Sequence, residues 1–215
     1  MAIANYSDLT SAVANWLNRS DLTSVIPDFV KLATVRIQRD MARVKHPGAI
    51  SQAIATVVDN YAPVPQDFIG VYQLMTQDAK TIIEYVSPDQ SMNLFATNSN
   101  GLNTEIYGND IYYTIIGRQF RLFQSSTASN DFQLELWYFA YLNELSATNT
   151  TNWVLTRYPD LYLYGTLVHS APYLKADDRI PTWEGAYQKI LGEIEIEADR
   201  SMRSQSKLSS ARRAF

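Results

Sequence analysis

Apolar residues near the N-terminus recur at the three- and four-residue spacing of amphipathic helices. The first set is Leu9, Val13, Trp16 and Leu17, and the second is Phe29, Val30, Ala33, Ile37 and Met41. We predict a first helix with Ser7 as its N-cap that ends near Asn18. The second helix should carry Pro27 in an early turn and stop before Pro47.

Two further apolar stripes lie in the C-terminal third of the chain. The first comprises Leu161, Tyr164, Leu167, Val168 and Ala171, and the second comprises Trp183, Tyr187, Ile190, Leu191, Ile194, Ala198 and Met202. Pro172 interrupts the first stripe, so we expect a kink or an end of that helix near Ser170. A short polar link containing Asp177 and Asp178 joins the two helices, which should therefore pack as an antiparallel pair.

Between the helical regions the pattern changes to the two-residue alternation of β-strands. The predicted strands cover residues 53–60, 68–75, 81–86, 111–116, 119–123 and 131–142. Gly117-Arg118 joins two of them, and glycine in the first turn position favours a hairpin with a type II′ turn. Both faces of the last strand become apolar beyond Leu136, so we predict that it is central in its sheet or covered on both sides.

The order helices, strands, helices predicts an α+β fold rather than βαβ alternation. In this prediction the N- and C-terminal helices, within 6–45 and 158–203, form a helical bundle. A mainly antiparallel β region at about 53–142 is inserted between them. Residues 1–203 then form a single α+β domain, and 204–215 form a basic C-terminal tail.

Composition excludes several functional classes. The 215 residues carry a net charge of −4, whereas a surface that grips DNA usually needs a basic excess. The absence of cysteine excludes disulfides, thiolate metal sites and cysteine nucleophiles. No apolar run is long enough to span a membrane, and the N-terminus lacks the pattern of a signal peptide.

The residues give no sign of catalysis, a metal site or a cofactor. The two histidines, His46 and His169, have no second ligand at metal-binding spacing. No glycine-rich phosphate loop or nucleophile elbow occurs. The acidic band Glu193, Glu195, Glu197 and Asp199 looks solvated, whereas catalytic carboxylates need burial or a facing partner to separate their pKa values.

Three sets of residues are candidates for contacts between molecules. Arg36, Arg39 and Arg43 are neighbours on the second helix, either on a solvated face with Arg36 pairing to Asp40 or in an intersubunit or phosphate contact. Ile196 lies outside the apolar stripe among the acidic band, where it is either an ordinary exposed residue or a contact with a neighbouring subunit. The basic segment with Arg203, Lys207, Arg212, Arg213 and Phe215 is either a frayed end or a segment that orders on a partner.

Several stretches, taken in order, resemble the phage adaptor, or head-to-tail connector, proteins. They are Tyr6-Ser7-Asp8-Leu9, residues 13–19, Ile26-Pro27-Asp28-Phe29, residues 36–40, residues 63–68, the 113–123 hairpin and Tyr158-Pro159-Asp160-Leu161-Tyr162-Leu163-Tyr164-Gly165. The similarity covers most of the chain. The loops at 97–105 and 143–152 match nothing in that pattern.

This resemblance implies a virion protein of the neck, made in the host cytoplasm. Such proteins form a homo-oligomeric ring of about twelve copies between the portal protein and the tail or nozzle protein. Double-stranded DNA passes non-specifically through the lumen, which a negative lining suits because phosphates then slide. The acidic band with Ile196 and the three arginines would serve the channel or the contact between subunits, and the basic tail would dock on the portal.

Two alternatives stay open. One is another neck or tail-completion protein of the virion, which would have the same general physics. The other is a hydrolase acting on glycan or DNA, which would need a pocket of converging ionisable groups.

Overall fold

The computed structural model describes residues 3–94, 111–124, 132–174 and 177–211, with side chains described except at 92–94, 124, 177 and 202–211. The elements are α1 (Tyr6–Leu17), α2 (Ile26–Val44), β1 (Ile50–Thr56), β2 (Tyr61–Pro63), β3 (Phe68–Thr76), β4 (Glu84–Tyr85), α3 (Pro88–Leu94), β5 (Ile111–Ile116), β6 (Gln119–Gln124), β7 (Gln133–Ala140), α4 (Trp153–Arg157), α5 (Pro159–Leu174) and α6 (Ile180–Ala211). They form two compact units. The helical unit contains Met1–Ala49 and Tyr141–Phe215, and the β unit contains Ile50–Ala140.

Polar caps set the ends of α1. The side chain of Asn5 accepts a hydrogen bond from the backbone N–H of Asp8 at 3.0 Å, which satisfies a donor of the first turn. Asn18 ends the helix with a left-handed backbone, φ 53°. The predicted end is therefore confirmed, but the prediction of Ser7 as the cap is wrong, because Asn5 caps the helix two residues earlier.

Helix α5 lies at the centre of the helical unit and contacts α1, α2, α4 and α6. Its buried residues, Leu161, Tyr162, Leu163, Gly165, Thr166, Leu167, Ser170 and Ala171, extend around most of its circumference. A Cβ at Gly165 would lie 3.2 Å from the ring of Tyr187 on α6, so the glycine permits a close approach of the two helices. The helix continues two residues beyond Pro172 to Leu174, past the end expected near Ser170.

The apolar stripe of α6 is buried as predicted. Trp183, Tyr187, Leu191, Ile194 and Ala198 are at most 5% exposed. All but Ala198 belong to the same hydrophobic cluster as the apolar faces of α1 and α2. The N- and C-terminal helices thus share one core, which confirms the predicted helical bundle.

The β unit contains two sheets with the strand orders β1-β7-β3 and β2-β6-β5-β4. All pairings are antiparallel except that of β4 with β5. Strand β7 is central, and Leu134, Leu136 and Tyr138 on one of its faces enter a second hydrophobic cluster. The predictions of an inserted, mainly antiparallel β region and of a central last strand are confirmed.

The β5–β6 hairpin also matches its prediction. Gly117 has φ +63°, and Arg118 is not among the residues with positive φ in the described chain, as a type II′ turn requires. The register pairs Ile116 with Gln119 and carries Tyr113 and Leu122 into the second cluster. The predicted loop at 97–105 lies outside the described residues.

Candidate interaction surfaces

The acidic band of α6 divides into an outward set and one inward carboxylate. Glu193, Glu195 and Asp199 are exposed, and Ile196 is 53% exposed beside them. Glu197 is only half-exposed, because it turns toward the start of α5. The predicted outward position of Ile196 is confirmed, while Glu197 has partners within the chain.

A chain of hydrogen bonds links Glu197 to the end of α2. The hydroxyl of Tyr158 donates to Glu197 Oε2 at 2.8 Å and lies 3.2 Å from His46 Nε2. The N–H of Gly48 donates to His46 Nδ1 at 2.9 Å. Since Tyr158 gives its one proton to Glu197, its oxygen accepts from His46, which is neutral and protonated on Nε2. Arg157 completes the group by pairing with Glu197.

Packing holds this cluster in place. His46 is 3% exposed and stacks on Trp153, with ring centroids 5.0 Å apart and planes inclined by 16°. A Cβ at Gly48 would lie 3.0 Å from His46 Nδ1 and 3.1 Å from the Trp153 ring. Glycine is therefore favoured in the turn that leaves α2.

The electrostatics of the cluster follow from burial and hydrogen bonding. Burial, and then the positive charge of Arg157, lowers the pKa of His46. Burial and the hydrogen bond to Glu197 raise the pKa of Tyr158 to about 12. The same hydrogen bond is the main reason that the pKa of Glu197 is lowered. These hydrogen bonds join α6 to the start of α5 and to the turn after α2.

A second network attaches α2 to α6. The guanidinium of Arg36 donates to both oxygens of Glu184, at 2.8 and 2.5 Å, and lies 4.2 Å from the ring centroid of Tyr187. The Tyr187 hydroxyl donates to Asp40 Oδ2 at 2.7 Å. Arg36 is also 3.9 Å from Asp40, as its four-residue spacing predicts. These contacts turn Arg36 toward α6, so it contributes little to an outward face.

In this network the positive charge of Arg36 faces two carboxylates, Glu184 and Asp40. The hydrogen bond from Arg36 is the main reason that the pKa of Glu184 is lowered. Burial, followed by the hydrogen bond to Asp40, raises the pKa of Tyr187 well above its ordinary value. The two helices are thus joined by a bidentate ion pair on an aromatic ring, in a geometry that fixes their register.

The outward face of α2 carries an apolar stripe followed by basic residues. Leu32 is 51% exposed and Val35 is 45% exposed. Arg39 and Arg43 continue the same face and are exposed. Arg43 comes no closer than 4.0 Å to Asp40, and the Arg39 side chain donates to the Val35 carbonyl at 3.3 Å. The sequence pattern indicated Arg39 and Arg43 as candidates for contacts between molecules, but it did not indicate Leu32 and Val35.

His169 on α5 lies near the arginines of α2. Burial, and then the charges of Arg36 and Arg39, lower its pKa. Its Nε2 is buried and has no hydrogen-bond partner within the described part of the chain. Neutral imidazole is therefore the favoured form at this position.

The outer face of the three-stranded sheet carries a network that the sequence analysis missed. Glu135 accepts from Gln52 Nε2 and from Trp137 Nε1, both at 2.9 Å, and pairs with Lys80. Hydrogen bonds from Lys80, and then from Trp137, lower the pKa of Glu135. Strand alternation placed Glu135 and Trp137 on one face. Gln52 reaches them through the pairing of β1 with β7, and Lys80 reaches Glu135 from the turn after β3.

Helix α6 continues past Ser201, the last of its residues whose side chain is described. Its buried stripe ends at Ala198 among the described side chains, and its backbone stays helical to Ala211. The first part of the segment predicted as a basic tail therefore continues this helix. The side chains of Arg203 and Lys207 lie outside the described residues, as do Arg212, Arg213 and Phe215 altogether.

The described part of the chain has a shallow groove in the helical unit. A groove of about 310 Å³ between α1 and the start of α2 is lined by Tyr6, Thr10, Ser11, Ala14, Thr23, Ile26 and Pro27, with no carboxylate or histidine. Across 3–94, 111–124, 132–174 and 177–211, no three histidine or acidic side chains form a group that could hold a metal ion. None of the helices in that part of the chain is both long and apolar enough to cross a membrane.

Comparison with known protein families identifies the family of this chain. The family model of the SU10 adaptor protein matches residues 4–213, which is nearly the whole chain and includes both units. No curated protein matches the chain. The family is one of phage adaptor proteins, which are structural components of the virion and interact with other head or tail proteins. The chain therefore belongs to the SU10 adaptor protein family.

Proposed function

We propose that this protein is a non-enzymatic head-to-tail connector. Copies of the chain form a ring between the portal protein and the tail or nozzle protein, at about twelve per particle, and the DNA passes through its channel. The C-terminal part of α6 with the basic residues after it docks on the portal. The net charge of −4 suits a channel through which phosphates slide without being held.

The length of α6 is the observation that supports docking on the portal. From Ala198 to Ala211 the helix continues for a further ~20 Å at the usual rise per residue. A helical segment of this length is marginal in water by itself, and contacts with a partner would stabilise it. Its sequence carries Arg203 and Lys207 and no acid after Asp199, and Arg212 and Arg213 follow. The chemistry of a matching partner is an acidic groove.

The remaining surface supports a structural role. Both ionic networks of the helical unit bind groups of the same chain to one another, and hydrogen bonds lower the pKa values of Glu184 and Glu197. Carboxylates that catalyse proton transfer instead have pKa values separated by burial or by a like charge. The described grooves do not bring such a pair together.

Deletion of residues 204–215 tests the docking. Binding of the shortened chain to purified portal rings should fall at least tenfold, which corresponds to about 1.4 kcal/mol. The unfolding midpoint should stay close to that of the full chain, because the stripe from Trp183 to Ala198 is retained, and circular dichroism should lose only the helix of residues 204–211. Lys189→Ala, which removes an exposed cation elsewhere on α6, is the matched control and should bind normally.

Retained binding in the shortened chain would show that another surface meets the portal. Electron microscopy of particles with a labelled chain then tests the connector itself. Density at the neck is expected, and a location elsewhere in the virion would overturn the proposal.

A further inference from the structure

Helix α2 exposes apolar surface on the side opposite its buried stripe. Leu32 and Val35 are about half exposed and lie one turn apart. Arg39 and Arg43 extend this row toward the C-terminal end of the helix, and both are exposed. We call these four residues the α2 outer face. A solvated helix face normally carries polar side chains at such positions, so this face has the composition of a contact surface.

Helix α6 presents a complementary surface. Ile196 is 53% exposed, and Glu193, Glu195 and Asp199 surround it on the outward side of the helix. The carboxylates of Glu193 and Glu195 have no ion-pair partner among the described residues. We call Glu193, Glu195, Ile196 and Asp199 the α6 outer face.

We propose that the α2 outer face of one copy binds the α6 outer face of the next copy. This inference rests on the proposed ring. One face offers aliphatic side chains and two arginines, and the other offers an isoleucine among three carboxylates, so both the apolar and the charged groups match. The occupant is a second copy because the two complementary surfaces belong to the same chain. Two different patches that bind each other form a heterologous contact, which repeats around a ring.

The two kinds of residue have different roles in this contact. Burial of Leu32, Val35 and Ile196 supplies association free energy, because apolar surface leaves water. The charges set the orientation and disfavour wrong pairings, since like charges placed together repel. Arg36 and Glu197 take no part, because each is bound to partners in its own copy.

Charge reversal and its rescue test the pairing. Arg39→Glu should lower incorporation of the chain into phage particles at least tenfold, because it brings like charges together across the contact. Glu193→Arg should act in the same way. The double variant carries the swapped charges and should restore incorporation to within about threefold of the original chain. All three variants change exposed residues, so their unfolding midpoints should match that of the unchanged protein.

Crosslinking tests the geometry without changing charge. The chain has no cysteine, so introduced cysteines react without background. In particles that carry Val35→Cys and Ile196→Cys in the same chain, a bismaleimide should produce a ladder of dimers, trimers and larger species. Each single variant should yield at most dimers.

The outcomes distinguish failure of the proposed contact between copies from failure of the proposed connector function. If the chain is present at the neck but the double cysteine variant gives only monomers or dimers, the contact is wrong and the connector stands. The contact is also wrong if the double variant with swapped charges is not incorporated at the original level while DNA delivery changes. The carboxylates of the α6 outer face would then line the channel. If the chain is absent from the neck, the proposed function fails and this inference fails with it.

Discussion

At the scale of single residues, the cluster around His46 shows how burial selects one protonation state. Gly48 donates to Nδ1, and Nε2 lies beside the Tyr158 hydroxyl. A second proton on Nδ1 would face the Gly48 N–H rather than an acceptor. Burial and Arg157 act in the same direction by lowering the pKa of His46. The neutral ring therefore stabilises the turn at the end of α2.

Stability of the helical unit should decrease in mild acid. The pKa values of His46 and His169 are lowered in the folded protein, so below the ordinary value near 6.5 the unfolded chain binds protons first. The free energy of unfolding should fall as pH drops from about 7.5 to about 5.5. Urea titrations at several pH values measure this, and the range stays above that in which Glu184 and Glu197 titrate.

Nuclear magnetic resonance measures the histidine pKa values on which this prediction depends. The chain has only two histidines, so both ring signals can be followed through a pH titration. Midpoints below the ordinary histidine value are expected for both. A midpoint at or above that value for His46 would contradict the proposed tautomer.

At the scale of elements, the contact between α2 and α6 combines an ion pair with an aromatic ring. Arg36 reaches both oxygens of Glu184 and lies over Tyr187, whose hydroxyl binds Asp40 on α2. Arg39 lies on the same helix, but it is exposed and makes only a local hydrogen bond. Two arginines that lie three positions apart therefore have different roles: Arg36 joins the helices, and Arg39 does not.

Replacing Arg36 should destabilise the bundle, whereas replacing Arg39 should not. Arg36→Ala leaves the partly buried Glu184 with Gln188 as its remaining donor and should cost about 1–2 kcal/mol, given that the pair is partly exposed. Arg39→Ala is the matched control and should stay within about 0.5 kcal/mol. Chemical unfolding measures both. Equal effects of the two changes would contradict a specific role for Arg36, and a double-mutant cycle with Glu184→Gln would give the coupling directly.

At the scale of the whole molecule, the chain leaves and re-enters the helical unit through two neighbouring strands. Strand β1 begins at Ile50, directly after the helical unit, and Ile50 is paired with Phe139 near the end of β7. Paired residues on antiparallel strands lie about 5 Å apart. The two ends of the β unit are therefore adjacent, and each unit has a hydrophobic cluster of its own.

The helical unit should fold without the β unit. Replacing Ile50–Ala140 with a short Gly/Ser linker leaves the cluster formed by α1, α2, α5 and α6 intact. The shortened protein should keep its helical circular dichroism and a cooperative unfolding transition. Loss of cooperativity would show that the two units depend on each other for stability. The matched control is Leu161→Ala in the shortened protein, which should cost about 2–5 kcal/mol because Leu161 is fully buried.

Much of the fold could be predicted from the sequence because the signals are local. The stripe through Trp183, Tyr187 and Leu191 follows from helical periodicity, and the alternation of β7 follows from strand geometry. The cap of α1 was misplaced because Asn5 and Ser7 are both good capping residues, and only the backbone conformation selects between them. Of the kink or end expected near Ser170, the end does not occur, because proline close to a helix end removes few hydrogen bonds.

The sequence by itself determined the fold class, the order of the elements and the buried faces of the helices. Each of these depends on spacing along one segment of chain, which the sequence records directly. Only the tertiary structure decided the roles of the charged residues. It turned Arg36 and Glu197 inward and left Arg39, Glu193 and Glu195 outward. A residue at the flank of an apolar stripe meets solvent or a neighbouring helix according to how distant segments pack, and no local pattern encodes that choice.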